Sequence, residues 1–475
     1  MSENSIKDLE NNDFKKEEKS KSEVNLKLKL GFSIGEITDI VAYQGFSFLI
    51  FTFYAVIIGI SVSIVTIVYI IWSLVNAFND PILGAISDRT KTKRFGGGRR
   101  RPWITSMILP LGLVMVFLFV TPRGNEIISA IYMCFIMCLF DTIYTAYSIN
   151  HTSLYPEIFP TDKSREEVGA ARRILMVFGL LIAFILPSFV IQEYTGDSEV
   201  SIRQYQLAGL IYGIIIIVTG LIHVKYGITE PSYEEIANKK SLGFLESLKV
   251  TIKNRYFMIF VGASTMNWYI FTLLPLIMPV YVAGALGRPE SMYTTLLLLI
   301  GFLFSIFGVI FWSKVDAKFG SKRAFNYSMI WWLISFIPLL FLTDYNLVMI
   351  DLIFIGIGLG GPTYLIDRNL ANIIDEDEFK TNNRREASYF GIHAIFIRLA
   401  AILVIFSVNI ICTYSGWEQI QLSTITEQQK LGLRILISIF PAIAMLVGIL
   451  FLKFFPIDYK RQKELQTLKK GKKIE

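Results

Sequence analysis

The chain has 475 residues, of which 53% are hydrophobic and 18% are charged, and its formal net charge is +7. Soluble proteins carry about 25% charged residues, and the mean hydropathy of this chain is +0.51. Composition therefore excludes an ordinary soluble protein. The positive charge does not indicate nucleic-acid binding, because the Lys and Arg residues are concentrated in alternate loops between apolar runs, as in membrane proteins.

Twelve apolar runs of roughly 20 residues are predicted to cross a membrane as helices. In chain order they are residues 31–56, 61–87, 103–121, 127–153, 168–191 and 205–224, then 257–282, 292–312, 325–342, 346–370, 388–414 and 431–455. We expect a disordered tail at 1–27, a six-helix bundle at 28–224, a central loop at 225–255, a second bundle at 256–456 and a basic tail at 457–475. The even-numbered connections are rich in Lys and Arg, which predicts that both termini are cytoplasmic.

The second run contains a carboxylate, Asp80, about seven residues before its end. A charge inside a membrane is costly and normally faces a cavity or a partner. Asn76, Asn79 and Asp80 stand at positions i, i+3 and i+4 of the predicted helix and therefore share a face. One carboxylate and two amide oxygens suit Na⁺, whereas the acid alone suffices for H⁺. The alternative is a structural ion pair that only stabilises packing.

Two cytoplasmic hairpins repeat a pattern of acid, spacer, glycine and basic pair, at residues 84–101 and 312–323. Such a repeat, with twelve spans and a central loop, is typical of two parallel six-helix halves with a substrate site between them, the major facilitator arrangement. We expect these hairpins to form a latch that breaks and reforms as the halves move. Its predicted members are Asp88, Arg89, Arg99, Arg100, Asp316, Lys322 and Arg323.

Further polar residues lie inside the apolar runs. In the fourth run one polar stripe is formed by Asp141, Thr145, Ser148 and Thr152. It indicates either a binding surface, with Asp141 and Ser148 as predicted substrate contacts, or hydrogen bonds between helices. Asp39 in the first run is predicted to line the cavity, whereas Glu36 lies at the inner interface or in the cavity.

In the second half, Arg398 lies about 15 Å into the membrane. An arginine at this depth either serves the transport site or extends its side chain so that the charge reaches the membrane interface. His393, one turn from Tyr389, either binds substrate or packs in the core. Trp268 offers a stacking surface for a ring or a lipid contact. Four glycines at 356, 358, 360 and 361 indicate close helix packing rather than a phosphate loop.

The segment N-D-P-I-L-G-A-I-S-D-R-T, followed by G-R-R-R-P-W, resembles the glycoside–pentoside–hexuronide:cation symporter family of the major facilitator superfamily. Residues 144–158, 172–179 and 373–398 agree with it as well. The resemblance implies a cation site at Asn76, Asn79 and Asp80 and a fourth-helix hydroxyl at Thr145. It also places a family arginine at Arg172 and a family lysine position at Arg398, with Asp80 as the partner of Arg398.

The chain departs from this family at three positions. Asn76 replaces a second-helix carboxylate, Ser148 replaces a sugar-binding carboxylate, and the first-helix carboxylate falls near Asp39 or Ile40. These changes argue against a galactoside-like substrate and favour H⁺ slightly over Na⁺.

The sequence thus predicts an all-α membrane protein of the major facilitator fold, in the cell membrane, that transports a sugar or glycoside together with H⁺ or Na⁺. The first alternative is a carrier of a lysolipid or another amphipathic or anionic solute, bound near Arg172 and Arg398. The second is a membrane sensor or scaffold that transports nothing. An enzyme is not expected, because no nucleophile–base pair or metal cluster is visible. We expect no cofactor, no nucleic-acid partner and a monomer in the lipid bilayer.

Overall fold

The computed structural model describes residues 25–90, 98–159, 161–196, 199–229, 251–381 and 386–472. The predicted disordered tail, apart from residues 25–27, and the centre of the predicted loop, 230–250, lie outside them. The first half of the chain forms α1 (Leu26–Ile57), α2 (Val62–Arg89), α3 (Arg101–Phe117), α4 (Glu126–Ile158), α5 (Asp162–Ile185) and α6 (Glu199–Tyr226). The second half forms α7 (Arg255–Gly284), α8 (Ser291–Phe319), α9 (Ser321–Phe336), α10 (Tyr345–Thr381), α11 (Glu386–Tyr414), α12 (Glu427–Lys453) and a final helix α13 (Tyr459–Lys472).

Helices α1 to α12 correspond to the twelve predicted spans. Ten of them are long and apolar enough to cross a membrane, whereas α3 and α9 are shorter, with 17 and 16 residues. Several helices continue past the apolar run that predicted them. Helix α10 has 37 residues, or about 55 Å of helix, and ends eleven residues beyond the predicted end at 370. The all-α membrane fold is therefore confirmed, with helix ends that hydropathy alone could not place.

Local chemistry explains where several helices begin and bend. The side chains of Asn125 and Thr161 accept backbone N–H groups at the first turns of α4 and α5, which satisfies donors that have no partner inside a helix. The ninth span ends at Phe336 rather than 342, and a 3-10 turn follows at Pro338–Leu340. Pro81 lies inside α2 and cannot donate a backbone hydrogen bond, so the carbonyl of Ala77 loses its helical partner beside Asp80.

The two halves repeat the same packing scheme. In the first half α1 packs against α5, α2 against α4, and α3 against α6. The same pairs recur six helices later, since α7 packs against α11, α8 against α10, and α9 against α12. The chain therefore consists of two parallel six-helix halves. They meet where α2 packs on α11, α1 on α7 and α5 on α8.

Glycines allow the closest helix contacts in both halves. A Cβ on Gly213 of α6 would lie 2.4 Å from the carbonyl oxygen of Gly112 on α3. A Cβ on Gly360 of α10 would lie 2.3 Å from the backbone nitrogen of Val309 on α8. The glycines predicted to mediate close packing on the tenth span do so.

Hydrogen bonds join the halves at the end of the bundle away from the chain termini. The backbone N–H of Ser291 donates to Gln192 at 2.8 Å, and that of Val62 donates to Glu418 at 3.0 Å. Nearby, the hydroxyl groups of Tyr194 and Thr295 are 3.2 Å apart. These contacts close that end of the interface.

The predicted basic tail contains a helix that sequence analysis missed. Arg461 of α13 donates to Glu376 of α10 at 2.8 Å, and Gln462 accepts the backbone N–H of Ser321 at 3.0 Å. Polar contacts to α8, α9 and α10 therefore hold α13 against the end of the second half.

Candidate cation and substrate site between the halves

An ion pair connects the two halves. The guanidinium of Arg398 on α11 donates to one carboxylate oxygen of Asp80 on α2, and a second nitrogen lies 3.5 Å from the backbone carbonyl of Asn76. The side chains of Arg398 and Asp80 are 21% and 25% exposed, so the pair is shielded from water but still accessible. The partnership that the family resemblance implied is present.

Helix α4 supplies the next contacts. The hydroxyl of Thr145 donates to the other carboxylate oxygen of Asp80 at 3.3 Å. The amide nitrogen of Asn79 donates to Asp141 at 3.1 Å and to the hydroxyl of Thr142 at 2.9 Å. Asn79 therefore bonds to Asp141 rather than to Asp80.

Asn76 presents an oxygen with no hydrogen-bond partner among the described residues. Its side chain is 3% exposed, and its amide oxygen is one of the buried unpaired atoms. Carboxylate, hydroxyl and amide oxygens, which Asp80, Thr145 and Asn76 carry, are hard ligands of the type that Na⁺ binds, and Asp80 alone can hold a proton. Within the described part of the chain, Arg398 bonds to Asp80 and lies near enough to Asp141 to interact with it electrostatically.

Asp39 on α1 lies beside residues of α4. The hydroxyl of Tyr144 donates to one of its oxygens at 3.4 Å, and Ser148 lies near the same carboxylate. Its other oxygen is buried and has no partner among the described residues. The ring of Tyr144 stacks on Tyr43 at 5.2 Å. This corner combines hydrogen-bond acceptors with aromatic faces.

Arg172 on α5 is already engaged. It donates to Glu36 of α1 at 2.5 Å, and its guanidinium lies 4.3 Å from the centre of the Tyr155 ring. Glu36 is 7% exposed and also lies 3.0 Å from His151. Glu36 is thus a buried partner of Arg172 rather than a residue at the membrane interface. Neither that pairing nor the histidine contact was expected from the sequence.

In the second half, His393 on α11 and Trp268 on α7 have different surroundings. The Nε2 atom of His393 lies 2.6 Å from the hydroxyl of Ser264, and its ring is 5.5 Å from Phe260. Trp268 is partly exposed and its ring lies 5.3 Å from Phe271. Its indole nitrogen is buried and has no partner among the described residues.

The residues predicted to form the latch make contacts inside each half. Arg99 and Arg100 donate to Glu157 of α4 at 2.6 and 2.9 Å. The side chains of Asp88 and Arg89 lie outside the described part of the structure.

The residues of the equivalent hairpin in the second half also make their contacts within their own half. Asp316 of α8 accepts from Tyr364 of α10 at 2.8 Å and lies 3.4 Å from Arg368. Lys322 donates to the carbonyl of Phe455, and Arg323 is exposed. The acid–arginine contact between α8 and α10 pairs neighbouring helices of one half, so the latch between halves stays a prediction.

Two charged residues that sequence analysis did not select face each other across the interface. Asp367 of α10 and Arg173 of α5 are close enough to interact electrostatically, although both side chains are exposed. Their only signal in the sequence was their position near the inner ends of two predicted spans.

The sequence model of the family described as MFS/sugar transport protein matches residues 31–459. The chain belongs to this family. Its fold resembles that of a mutant form of the nucleoside transporter NupG, with a TM-score of 0.67 and 14% identity over 90% of this chain and 100% of that chain. These matches confirm the predicted major facilitator fold and a multi-pass membrane protein.

Two curated relatives are symporters. The sodium-dependent lysophosphatidylcholine symporter 1-A of Danio rerio is 21% identical over 84% of this chain and 80% of its own length. The putative glycoside/cation symporter YagG of Escherichia coli is 25% identical over 65% of each chain. The chain is therefore a transporter of the symporter type rather than an enzyme, and its partners include a small-molecule substrate and a coupling cation. The resemblance to glycoside and cation symporters that the motif segment indicated is confirmed at the level of the family.

Proposed function

We propose that this protein couples H⁺ or Na⁺ to the transport of a sugar or glycoside by alternating access. The observation that supports this proposal is the Arg398–Asp80 pair, because it joins the two halves through one carboxylate that a cation can also occupy. A cation bound at Asp80 competes with Arg398 for that carboxylate. Binding therefore loosens one polar contact between α2 and α11 and changes the charge of the site.

The surrounding residues have distinct parts in this proposal. Asn76 and Thr145 offer oxygens beside Asp80, and Asn79 holds Asp141 in place. Because only one acid remains among the site positions of α2, a proton is sufficient to neutralise it. Asp141, which accepts a hydrogen bond from Asn79, is the second carboxylate that Na⁺ would use. By linkage, a solute that favours the cation-bound form must in turn raise the affinity for the cation by the same factor.

The solute site of this proposal lies beside Asp39. Its unpaired buried oxygen, together with Ser148 and Tyr144, suits the hydroxyl groups of a sugar, since an unpaired buried acceptor is costly without a donor. Trp268 supplies an aromatic face and an indole donor from the other half. Arg172, His393 and Arg398 complete the set of proposed solute contacts. The hairpin residues are proposed to re-pair between halves when the closed end opens.

The second candidate is an amphipathic or anionic solute. It is supported by the similarity to a lysophosphatidylcholine symporter over 84% of this chain and by the loss of a sugar-binding carboxylate at Ser148. In this case Arg172 would exchange Glu36 for the anionic group of the solute.

Uptake into proteoliposomes tests both candidates. A panel of glycosides and lysophosphatidylcholine is offered with Na⁺ and pH gradients imposed separately. Gradient-driven uptake of a glycoside supports the first candidate and identifies the ion. Uptake of lysophosphatidylcholine without uptake of any glycoside supports the second. Uptake that ignores both gradients contradicts cation coupling.

A further inference from the structure

A continuous chain of polar side chains crosses the interior of the first half. Arg172 of α5 bonds to Glu36 of α1, Glu36 lies 3.0 Å from Nε2 of His151 on α4, and Nδ1 of His151 lies 3.1 Å from Nε2 of His223 on α6. The chain ends where Nδ1 of His223 lies 3.1 Å from the carbonyl oxygen of Gly31. Four helices thus contribute to one hydrogen-bonded line, and we call its Glu36, His151 and His223 members the relay.

The relay is closed off from solvent. His151 and His223 are 1% and 0% exposed, and Glu36 is 7% exposed. The ring of Phe32, itself fully buried, stacks on His151 at 5.0 Å and contacts His223 edge-on at 5.4 Å. Polar groups in such surroundings need hydrogen bonds with correctly placed protons.

Other ionisable groups face the relay from three helices. Arg172 approaches from α5 and Asp39 lies one turn along α1, where it interacts electrostatically with Glu36. From α4, Tyr147 donates to the carbonyl of Gly35 at 3.3 Å, and the ring of Tyr155 lies under Arg172. One cation, one further acid and two tyrosines therefore surround the relay.

The hydrogen bonds fix how many protons the relay holds. The carbonyl of Gly31 can only accept, so Nδ1 of His223 carries a proton. If His223 is neutral, its Nε2 accepts, and Nδ1 of His151 must donate to it. A neutral His151 then turns a bare nitrogen toward Glu36, and a nitrogen lone pair and a carboxylate oxygen cannot bond to each other without a proton.

The relay holds the same number of protons when His223 is doubly protonated. If His223 carries protons on both nitrogens, it donates to both Gly31 and His151, and His151 donates its own proton to Glu36. In every satisfied arrangement the relay holds one proton more than two neutral histidines and an ionised carboxylate. That proton lies on His223, on His151 or on Glu36.

We propose that the relay is a proton-binding site, separate from Asp80, and that its proton sets the charge beside Arg172. With the proton bound, Arg172 and the relay together carry a charge of about +1; without it they are neutral. The side chain of Arg172 is 19% exposed, so solutes can sense this change. The protonated relay favours a solute with a negatively charged group. This consequence rests on the proposed transport function, whereas the proton site itself does not.

Histidine NMR on the purified protein in lipid tests the proton site without any substrate. The chain has only three histidines, so nitrogen-15 labelling of histidine gives three assignable rings. At pH 7 we expect the extra proton either as a doubly protonated ring at His151 or His223, or as a protonated carboxyl in carbon-13-labelled Glu36. In E36Q the side-chain amide donates to His151 directly, and both rings are expected to be neutral.

H393Q is the matched control, because His393 lies on α11 against Ser264, and its removal should leave the other two rings unchanged. Two neutral rings together with an ionised Glu36 in the wild type at pH 7 would overturn the proposal. The protonation states measured in the wild type test the proposed proton site even if E36Q does not fold. Failure of this test leaves transport at Asp80 intact, and absence of uptake for every solute leaves this test valid.

Discussion

The two halves of the protein share a packing scheme but differ in where their charges lie. Each half pairs its helices in the same order, and each uses glycine backbones for its closest contacts. The first half contains the acids Glu36, Asp39, Asp80 and Asp141, whereas the second half supplies Arg398 to the site. The scaffold is therefore duplicated while the proposed chemistry is not. The proposed coupling depends on the contact in which Arg398 of one half meets Asp80 of the other.

The shared scaffold predicts the largest effects. In both G213A and G360A the new methyl group would lie within 2.4 Å of backbone atoms of the neighbouring helix, which cannot move without separating the helices. We expect each variant to lose about 3 kcal/mol of stability or more, measured by thermal unfolding in detergent. G391A is the control, because nothing lies within 4 Å of its new Cβ. If only one of the two variants lost stability, the two halves would not share the same packing scheme.

Removing the cation of the Arg398–Asp80 pair is expected to lower stability less than the glycine substitutions do. In R398A the carboxylate of Asp80 loses its cation, and we expect a loss of about 2 kcal/mol, below the roughly 3–5 kcal/mol of fully buried pairs, because both side chains remain partly exposed. The double variant D80N/R398A should regain part of this loss. Additive losses in thermal unfolding would show that the two side chains do not interact across the interface.

The hydrogen bond from Asn79 to Asp141 predicts a change in the affinity for the cation. In N79A the carboxylate of Asp141 loses the 3.1 Å hydrogen bond from the amide. We expect cation affinity to fall about tenfold, or about 1.4 kcal/mol, in a titration of uptake against Na⁺ or H⁺. T142A, which removes the second acceptor of Asn79 but leaves Asp141 bonded, is the control with a smaller effect. Equal affinity in N79A and the wild type would remove Asp141 from the cation site.

The smallest effect on the cation is expected in the second half. His393 bonds to Ser264, and H393Q should change cation affinity less than about threefold while altering the apparent affinity for the solute. A large change in the cation titration would mean that the second half contributes more than Arg398 to the cation site.

Much of the fold was predictable because lipid leaves few alternatives to apolar helices. The pairing of Asp80 with Arg398 followed from a family motif, since the two residues are 318 positions apart along the chain. The relay could not be predicted: Glu36, His151 and His223 come from three helices, and each is ordinary in its own segment. The start of α5 and the end of α10 were misplaced because the first turn of α5 and the last turns of α10 are polar, and helices continue wherever their backbone bonds are satisfied.

The central claim is that a cation at Asp80 drives the movement of the solute. The most direct measurement is gradient-driven uptake by D80N in proteoliposomes, compared with the wild type and with D351N, which removes a different buried carboxylate, on α10. We predict that D80N still exchanges solute across the membrane but no longer accumulates it in response to a Na⁺ or pH gradient, while D351N accumulates it. Accumulation by D80N at the level of the wild type would contradict the claim.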